Sequence, residues 1–564
     1  MSREPLARAR RLRDEAERWR RACVCIARPR ARATPVATRA SVGRATATTT
    51  STTRARTRAR SCASALGVVA ARAMADEGAL ASAWWRRREL LTTRAAGAAA
   101  PSAADERAAA DAHARAQASV LATFASWFAG RSGTIHEAVK MVYRPARHWS
   151  LEANEDIRAG ERLVFLPSAL MLRCDGDDVS EPLRRVIDAV PSEFWSSKLG
   201  LALLRERVAG QHSTFAPYVN LLPSVHEGSP TFFSPQAIRE LQYAPLVAQI
   251  NKRARFLASF FGGKGTLTID DGDGYADERH PERRRVEMTI DANALGWATV
   301  SASSRAFRLG ERLTPMLLPV IDVCNHSFDP TASVRARDDG VELVTTRDIK
   351  AGEPIELSYG ELSNDELLLD YGFIVENNPF DTVKLRWDLK LIELAREVGG
   401  LATAPIGAMA SSSSISTDAG ADSVMTLAPF QKQALARIGL ADGADGELKV
   451  RAAGDVMDKR ALAGLRVLYS TTPAEASRAA DAPYGELDAQ VVSKDVEIKA
   501  LRTAMALCAL ALGNFPTTVD EDIRAVDADS PQVALAVRFR MEKKKILSSA
   551  MARLNASIER AQRS

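Results

Sequence analysis

Two copies of one short motif limit what this chain can fold into more than any other feature of its sequence. The sequence Asp-Ile-Arg-Ala-Gly-Glu occupies residues 156–161, and Asp-Ile-Lys-Ala-Gly-Glu occupies residues 348–353. In each copy a turn containing glycine precedes a strand-like segment, at 162–167 and at 354–357. Two strand–turn units so far apart in the chain predict one mainly β domain with an insertion between them.

The sequence around and between the two motifs is helical in character. Apolar residues recur at three- and four-residue spacing over 106–128, 198–207 and 235–261. The polar segment 262–285 predicts a solvated loop, because its acidic residues do not fall at the positions of an EF-hand calcium loop.

Beyond residue 378 the pattern changes to long helical stretches. These lie at 389–398, 429–438, 461–469, 487–512 and 530–562. We therefore predict an α+β fold. A mainly β domain at 118–378, split by a helical insertion at about 185–295, is followed by an all-α domain at 379–564.

The positive charge of the chain is concentrated at its N-terminus. Residues 1–75 contain 18 arginines and four acidic residues, which gives this segment a formal charge of +14. Because the whole chain has a formal net charge of +6, the remaining residues carry −8. A mildly acidic body does not favour nucleic-acid binding. An Arg-, Ser- and Thr-rich, acid-poor segment is typical of an organellar transit peptide. We predict such a peptide at 1–75, a linker with a helix at 76–117, and a chloroplast location.

Other interpretations of this segment stay open. It is also consistent with a disordered basic tail or with a true start near Met74, and the location with mitochondrion or cytoplasm. The six cysteines are scattered apart from Cys23-Val24-Cys25, and none has the spacing of a zinc site. The apolar run at 65–71 is too short to span a bilayer. We therefore expect neither a bound metal nor a membrane segment, and the acidic body argues against a nucleic-acid partner. We also expect a monomer.

Polar residues able to carry chemistry follow the apolar run at 317–321, which predicts a buried strand. Asn325 and His326 come directly after it, and Tyr359 and Tyr371 lie downstream. A polar pair at the end of a buried strand is placed to meet a ligand. On spacing alone, turn caps, a structural histidine and core tyrosines explain the same residues equally well.

The combination of motifs resembles one known family. Five blocks in order are similar to the Rubisco large-subunit methyltransferase-like SET proteins, and they lie at 155–167, 215–223, 297–307, 322–327 and 359–373. A further block at 515–522 resembles the substrate-binding domain at the C-terminus of that family. The resemblance extends over about 121–554 and implies a SET fold followed by that domain.

The resemblance implies an S-adenosylmethionine-dependent protein-lysine N-methyltransferase. A stromal protein such as the Rubisco large subunit or fructose-bisphosphate aldolase is then the substrate. Tyr359 and Tyr371 match the catalytic tyrosines. The positions that match cofactor-binding residues are Asn325, His326, Arg305, Arg147, His148, Trp149, Gly372 and Phe373. Those that match substrate-binding residues are Asp322, Arg305, Phe307, Tyr359 and Tyr371.

Two positions bear on alternatives to this activity. The family usually has a Gly-x-Gly turn where this chain has Arg-His-Trp-Ser-Leu at 147–151. A catalytically weak SET protein that acts as a protein-binding module is therefore one alternative. In the related actin-histidine methyltransferases, an asparagine that can bind imidazole matches Phe307. The apolar Phe307 favours lysine, and histidine methylation is the other alternative.

Overall fold

The computed structural model describes residues 103–144, 148–176, 179–260, 266–270, 287–309, 314–401, 427–441, 447–481, 491–528 and 530–563. The predicted transit peptide at 1–75 and Arg147 lie outside the described residues.

Strands are numbered here in chain order. Those in the described residues are β1 (Thr134–Ile135), β2 (Val139–Arg144), β3 (His148–Ala153), β4 (Arg162–Pro167), β5 (Leu172–Arg173), β6 (Thr266–Asp270), β7 (Glu287–Asp291), β8 (Ala306–Leu309), β9 (Thr314–Leu317), β10 (Asn325–His326), β11 (Ala332–Ala336), β12 (Gly340–Thr345), β13 (Pro354–Leu357), β14 (Thr382–Arg386) and β15 (Glu447–Arg451).

Helices are numbered in the same way. They are α1 (Ala103–Ala129), α2 (Glu181–Ala189), α3 (Trp195–Ala209), α4 (Ala216–Val219), α5 (Pro235–Glu240), α6 (Ala244–Ser259), α7 (Ala292–Arg305), α8 (Asn364–Glu366), α9 (Leu389–Val398), α10 (Pro429–Arg437), α11 (Lys459–Tyr469), α12 (Pro473–Asp481), α13 (Lys494–Gly513), α14 (Val519–Ala525) and α15 (Pro531–Arg563).

The chain divides into two compact units. The first consists of the described residues up to His226 together with Asn251–Glu361, and the second of Glu227–Ile250 with Leu362–Ser564. The last change from the first unit to the second falls after residue 361. The domain boundary predicted at residue 378 stays a prediction. Helix α6 begins in the second unit and ends in the first.

Small sheets build the first unit. Two of them have the strand orders β1-β4-β12-β11 and β10-β13-β3-β2, and β5-β9-β8 and the hairpin β6-β7 complete the set. All neighbouring strands are antiparallel except β10 and β13, which are parallel. The hairpin corrects the solvated loop predicted at 262–285, because Thr-Leu-Thr-Ile-Asp at 266–270 alternates polar and apolar residues and pairs with β7.

The two repeated motifs meet and bind each other. Ile157 and Ile349 form an antiparallel bridge. The Asp348 carboxylate accepts from Ala159 N–H (2.8 Å), and the Asp156 carboxylate accepts from Ala351 N–H (3.0 Å). Each turn thus caps the other across about 190 residues of sequence. The two motifs thus lie in one β domain, as predicted, and their contact joins the parts of the chain on either side of the insertion.

Two predicted elements differ from the structure. The helix predicted over 235–261 is broken into α5 and α6 because Gln242 takes a left-handed φ of +49°. The strand predicted over 317–321 ends at Leu317, because Pro319 has no N–H to donate and Val320 has a φ of +74°. The residues of this run are nevertheless buried as predicted.

The second unit is mainly helical. The two-stranded antiparallel sheet β14-β15 corrects the all-α domain predicted at 379–564, because Glu-Leu-Lys-Val-Arg at 447–451 alternates polar and apolar residues and pairs with 382–386. The large core of this unit gathers apolar side chains from α5, α6, α9–α15 and both strands. Helix α15 also buries charged residues, including Arg540, Lys543 and Lys544. Helices were predicted correctly at α1, α3, α9, α10, α11 and α15, and the predicted α+β class is confirmed.

Candidate active site

The Asn-His pair and Tyr359 come together through parallel strand pairing. Strand β10 pairs with β13, with Asn325 opposite Glu356 and His326 opposite Leu357. Tyr359 lies two residues beyond β13. Its backbone N–H donates to His326 Nδ1 (3.1 Å), and the two rings stack with their centroids 5.1 Å apart. Burial lowers the pKa of His326, which agrees with a neutral imidazole that accepts at Nδ1.

The Tyr359 phenol is oriented by the backbone beside Asn325. Its hydroxyl donates to the Cys324 carbonyl oxygen at 2.7 Å. The Cys324 side chain is buried, and burial raises the pKa of its thiol, so it remains a neutral thiol. The phenol oxygen retains lone pairs that can accept from a donor.

A strained turn leads into this region. Val320 is fully buried and has a φ of +74°, which is costly for a β-branched residue. It is followed by a 3₁₀ turn at Ile321–Val323, which carries Asp322 into the buried interior. Backbone strain of this kind persists where surrounding structure fixes it, and it concentrates at functional sites.

Arg305, Asp322 and Tyr218 form a buried polar cluster. Helix α7 is capped at its start by the Asp291 carboxylate, which accepts from Ala294 N–H (2.7 Å), and it ends at Arg305. Arg305 Nη1 donates to the Asp322 carbonyl oxygen (3.1 Å) and lies 3.9 Å from Asp322 Oδ2. The Tyr218 hydroxyl donates to the same Oδ2 at 2.6 Å.

Burial dominates the electrostatics of this cluster. It raises the pKa of Asp322 to about 6, although the charge of Arg305 and the hydrogen bond from Tyr218 oppose the rise. Burial and the neighbouring carboxylate also raise the pKa of Tyr218 well above its ordinary value, so the phenol stays a hydrogen-bond donor. A carboxylate with such a pKa is only marginally stable in its charged form.

Two atoms of this cluster are open to a ligand. Among the residues that the structure describes, Arg305 Nε and Asp322 Oδ1 are buried without a hydrogen-bond partner. Buried polar atoms are nearly always paired in folded proteins, and exceptions mark sites that a ligand, ion or water completes. One donor and one acceptor thus lack a partner, on two residues that contact each other through Arg305 Nη1 and the Asp322 carbonyl oxygen.

His226 lies close to the same cluster. Its Nε2 is 2.7 Å from Ser301 Oγ. Burial lowers its pKa to about 3, and positive charge from Arg305, His148 and Arg207 adds to this effect. The imidazole is therefore neutral at physiological pH and has a structural hydrogen bond.

The stretch without the Gly-x-Gly turn takes an unusual backbone conformation. His148 begins β3 opposite Arg144 and has a φ of +56°, the left-handed region that glycine adopts readily. Trp149 is buried and packs edge-on against Tyr143, with ring centroids 5.3 Å apart. The chain thus keeps a glycine-like conformation here with a histidine, and the backbone course does not require the missing glycine.

The remaining predicted residues fall in two places. Phe307 lies in β8 opposite Met316 and is half-buried. Tyr371, Gly372 and Phe373 belong to the second unit. There Tyr371 ends a π-helical turn, Gly372 has a φ of +81°, and the Tyr371 and Phe373 rings meet edge-on at 6.3 Å. Their roles toward cofactor and substrate stay predictions, as do those of the residues above.

Tyr218, His226 and the Cys324 carbonyl were not predicted as site components. Tyr218 lies within the block 215–223 that carried the family resemblance, so a search of that block for buried hydroxyls was the available signal. His226 is an isolated histidine with no motif.

In the described parts of the chain, no helix is long and apolar enough to cross a membrane, and no group of His, Cys, Asp and Glu is placed to hold a metal ion.

Sequence comparison matches two family profiles. Residues 148–360 match the SET domain, and residues 425–547 match the Rubisco LSMT substrate-binding domain. Similar curated proteins include the actin-histidine N-methyltransferases of Mus musculus and Canis lupus familiaris, with 26% identity over 446 residues and 27% over 452. The alignments cover 75% of this chain, and 66% and 67% of those two proteins.

Solved structures share the fold. The SET domain of LSMT bound to lysine and AdoHcy superposes with a TM-score of 0.55 at 20% identity. Rubisco LSMT bound to AdoMet superposes with a TM-score of 0.54 at 21% identity. Each match covers 79% of this chain and 93% of the other. With its SET domain and its Rubisco LSMT substrate-binding domain, this chain belongs to the SET methyltransferase family.

Proposed function

We propose that this protein is an S-adenosylmethionine-dependent protein methyltransferase that modifies a lysine side chain. The observation that carries the proposal is the Tyr359 phenol, held by the Cys324 carbonyl directly beside the Asn325–His326 strand. This arrangement places an oriented, uncharged hydroxyl next to the residues that the family resemblance assigns to the cofactor.

The residues of the first unit fit the polar parts of S-adenosylmethionine. Arg305 Nε and Asp322 Oδ1 are a buried donor and acceptor without a partner in the described structure. Asn325 can both donate and accept through its amide. When bound, the cofactor supplies a methyl group activated by a sulfonium. Asn325, His326 and Arg305 are the residues that we expect to hold it, and Asp322, which the resemblance assigns to the substrate, lies beside Arg305.

The chain then has to orient the acceptor and favour its neutral amine, whose proton is lost to solvent, rather than perform difficult bond chemistry. With a lysine pKa near 10.4, only about one amine in a few thousand is neutral at pH 7. An apolar surrounding lowers that pKa, because it disfavours the ammonium form. The Tyr359 hydroxyl can accept from the amine without adding a charge, so its contribution is alignment. No general base is required for this scheme.

Phe307 supports lysine over histidine as the acceptor. An imidazole with a pKa near 6.5 is already mostly neutral at pH 7. It therefore needs a partner that fixes its tautomer and orientation, and a phenyl ring provides no hydrogen bond for that purpose. The long apolar stem of lysine is matched by an apolar wall, to which Phe307 would belong.

Histidine methylation is the second candidate. Identity of 26–27% to several actin-histidine N-methyltransferases favours it. That identity is low and leaves about a third of those proteins unmatched, so it supports a protein acceptor more strongly than a particular side chain. We further propose a chloroplast location, supported by the composition of residues 1–75. A stromal protein such as Rubisco large subunit or fructose-bisphosphate aldolase is then the substrate.

Methyl transfer to a plastid extract tests the proposal. The full chain is incubated with labelled S-adenosylmethionine and an unmethylated stromal extract, next to Asn325→Ala and the exposed-surface control Asn555→Ala. We expect a labelled protein with wild type and Asn555→Ala, and loss of label with Asn325→Ala. Mass spectrometry of the labelled peptide then assigns lysine or histidine.

Other outcomes redirect the proposal. A methylated histidine would replace the lysine proposal with the second candidate. No labelled protein, together with no calorimetric binding of S-adenosylmethionine, would make the protein-binding module the better explanation. Cofactor binding without label in this extract would contradict the stromal substrate while leaving the methyltransferase proposal to be tested on other compartments.

A further inference from the structure

The segment that carries Tyr371 has an uncommon backbone. Helix α8 is capped by Ser363 and Glu366 through a reciprocal capping box, and it continues directly into a π-helical turn at Leu367–Tyr371. Single π turns are rare and frequently occur at functional sites. The turn ends at Gly372 in the left-handed region.

A buried ion cluster holds the start of this segment. The Lys543 ammonium, on α15, lies 2.5 Å from Asp365 Oδ1 and 2.6 Å from Asp381 Oδ1 and donates to the Thr382 carbonyl oxygen (2.9 Å). Asp381 also accepts from the Asn364 backbone N–H at 2.9 Å. We call Lys543, Asp365, Asp381 and Asn364 the Lys543 cluster. Two of its members, Asn364 and Asp365, belong to α8 itself.

The far end of the segment is fixed by backbone packing. A Cβ atom added to Gly228 would collide with the Gly372 carbonyl, because the two glycines pass in direct contact. Both glycines belong to the second unit. The residues between Asn364 and Gly372 are therefore clamped at both ends, and Tyr371 lies at the end of that span.

The composition of the Lys543 cluster is unusual for a cluster that only stabilises the fold. It buries two carboxylates against one ammonium, and all three side chains are almost completely buried. Removing charges from water is costly, and well-packed apolar residues are often as stable. What a directional ion cluster provides in exchange is a fixed geometry.

We infer that the Lys543 cluster, which belongs to the helical unit, is a positioning device for Tyr371. Lys543 and Asp365 hold the N-terminal turn of the segment, and the π turn connects that turn to Tyr371, five residues after α8 ends. The inference rests on the proposed function and on the family resemblance, by which Tyr371 matches a catalytic tyrosine.

Asp365→Asn is the informative variant. It removes the ion pair between α8 and α15 but leaves Lys543 and Asp381 as a one-to-one pair, so the fold should tolerate it. We expect kcat to fall between about tenfold and a hundredfold, as for small misplacements of a catalytic group. The affinity for S-adenosylmethionine should stay at the wild-type value, and the distribution of mono-, di- and trimethylated product should shift.

Lys544→Met is the matched control. Lys544 is the neighbouring residue on α15, is equally buried, and contacts Asp522 (2.5 Å) and the Thr517 carbonyl (2.5 Å). Both partners are more than 140 residues from α8 and Tyr371 in the sequence. A loss of buried charge without displacement of Tyr371 should lower the melting temperature while kcat and product distribution remain unchanged.

A double variant separates positioning from general weakening. If Asp365 acts through Tyr371, Asp365→Asn combined with Tyr371→Phe should be no slower than Tyr371→Phe alone. Additive losses, an unchanged kcat in Asp365→Asn, or the same kinetic defect in Lys544→Met would each overturn the inference. If Asp365→Asn does not fold, Lys543→Arg, which keeps the charge and lengthens the cation, is compared in the same way.

The proposed function and this inference fail separately. Absence of methyl transfer by the wild type would remove the function. Methyl transfer that is unaffected by Tyr371→Phe would leave the function intact and overturn the inference.

Discussion

Each unit of this protein buries a cluster of charges, and the two clusters are built differently. In the first unit, Arg305 and Asp322 each retain a buried polar atom without a partner among the described residues. In the second unit, Asp365 Oδ1 also has no hydrogen bond within the described residues, but it lies 2.5 Å from the Lys543 ammonium as an ion pair, and that ammonium also contacts Asp381 and the Thr382 carbonyl oxygen. A cluster that closes on itself fixes geometry, whereas one that leaves a donor and an acceptor open is prepared for a ligand.

Breaking the closed cluster should have the largest effect on stability. Lys543→Met leaves Asp365 and Asp381 buried without their cation, and we expect a loss of about 3–5 kcal/mol in the free energy of unfolding. Urea denaturation at pH 7 measures it. Lys432→Met, at an exposed position of α10, should change stability by no more than about 0.5 kcal/mol. Similar losses in both variants would mean that the cluster is not special.

Neutralising Asp322 in the cluster of Arg305, Asp322 and Tyr218 should raise, rather than lower, the free energy of unfolding. The pKa of Asp322 is raised to about 6, so the stability linked to it is fully present below about pH 4 and is lost as the pH rises through 6. Asp322→Asn should therefore be more stable than wild type by up to about 3 kcal/mol at pH 8, and the gain should vanish near pH 4. Thermal unfolding across that range checks it, and a gain independent of pH would contradict the assignment.

Removing one hydrogen bond from the open cluster should have a smaller effect. Tyr218→Phe deletes the 2.6 Å bond to Asp322, and we expect a cost of about 2 kcal/mol at pH 8, where the carboxylate is charged. In the Asp322→Asn background the same change should cost about 1 kcal/mol, because the acceptor is neutral. The double-mutant cycle gives the difference, and equal costs would show that the phenol does not stabilise the charge.

The smallest effect is expected at the edge of the site. His148→Gly relieves a left-handed φ but increases the entropy of the unfolded chain, so stability should change by no more than about 1 kcal/mol. Its informative measurement is calorimetric titration with S-adenosylmethionine. Because the backbone is already glycine-like, the affinity should stay within about threefold of wild type, or roughly 0.6 kcal/mol. A large gain would show that the histidine ring obstructs the cofactor.

The repeated motifs predicted the β domain because their Gly-containing turns and strands are local signals. The same is true of α1, α9 and α15, whose apolar spacing is regular. The break at Gln242 and the turn at Val320 were not predictable, because residues of these types rarely adopt positive φ and tertiary packing imposes it. Asn325, His326 and Tyr359 were predicted as site residues from the family motif, and their roles stay predictions. The cluster around Asp322 required three dimensions, since Tyr218 lies 104 residues away.

The two turns at Asp156 and Asp348 that bind each other are synthesised at different times during translation. The first turn leaves the ribosome about 190 residues before the second, which at ordinary elongation rates is on the order of 10 to 40 s. For most of that interval β4 lacks its partner β12, and an unpaired strand edge is prone to aggregation. Nascent chains of this protein should therefore depend on chaperones until residue 353 has emerged, and slower elongation across the insertion would lengthen that dependence.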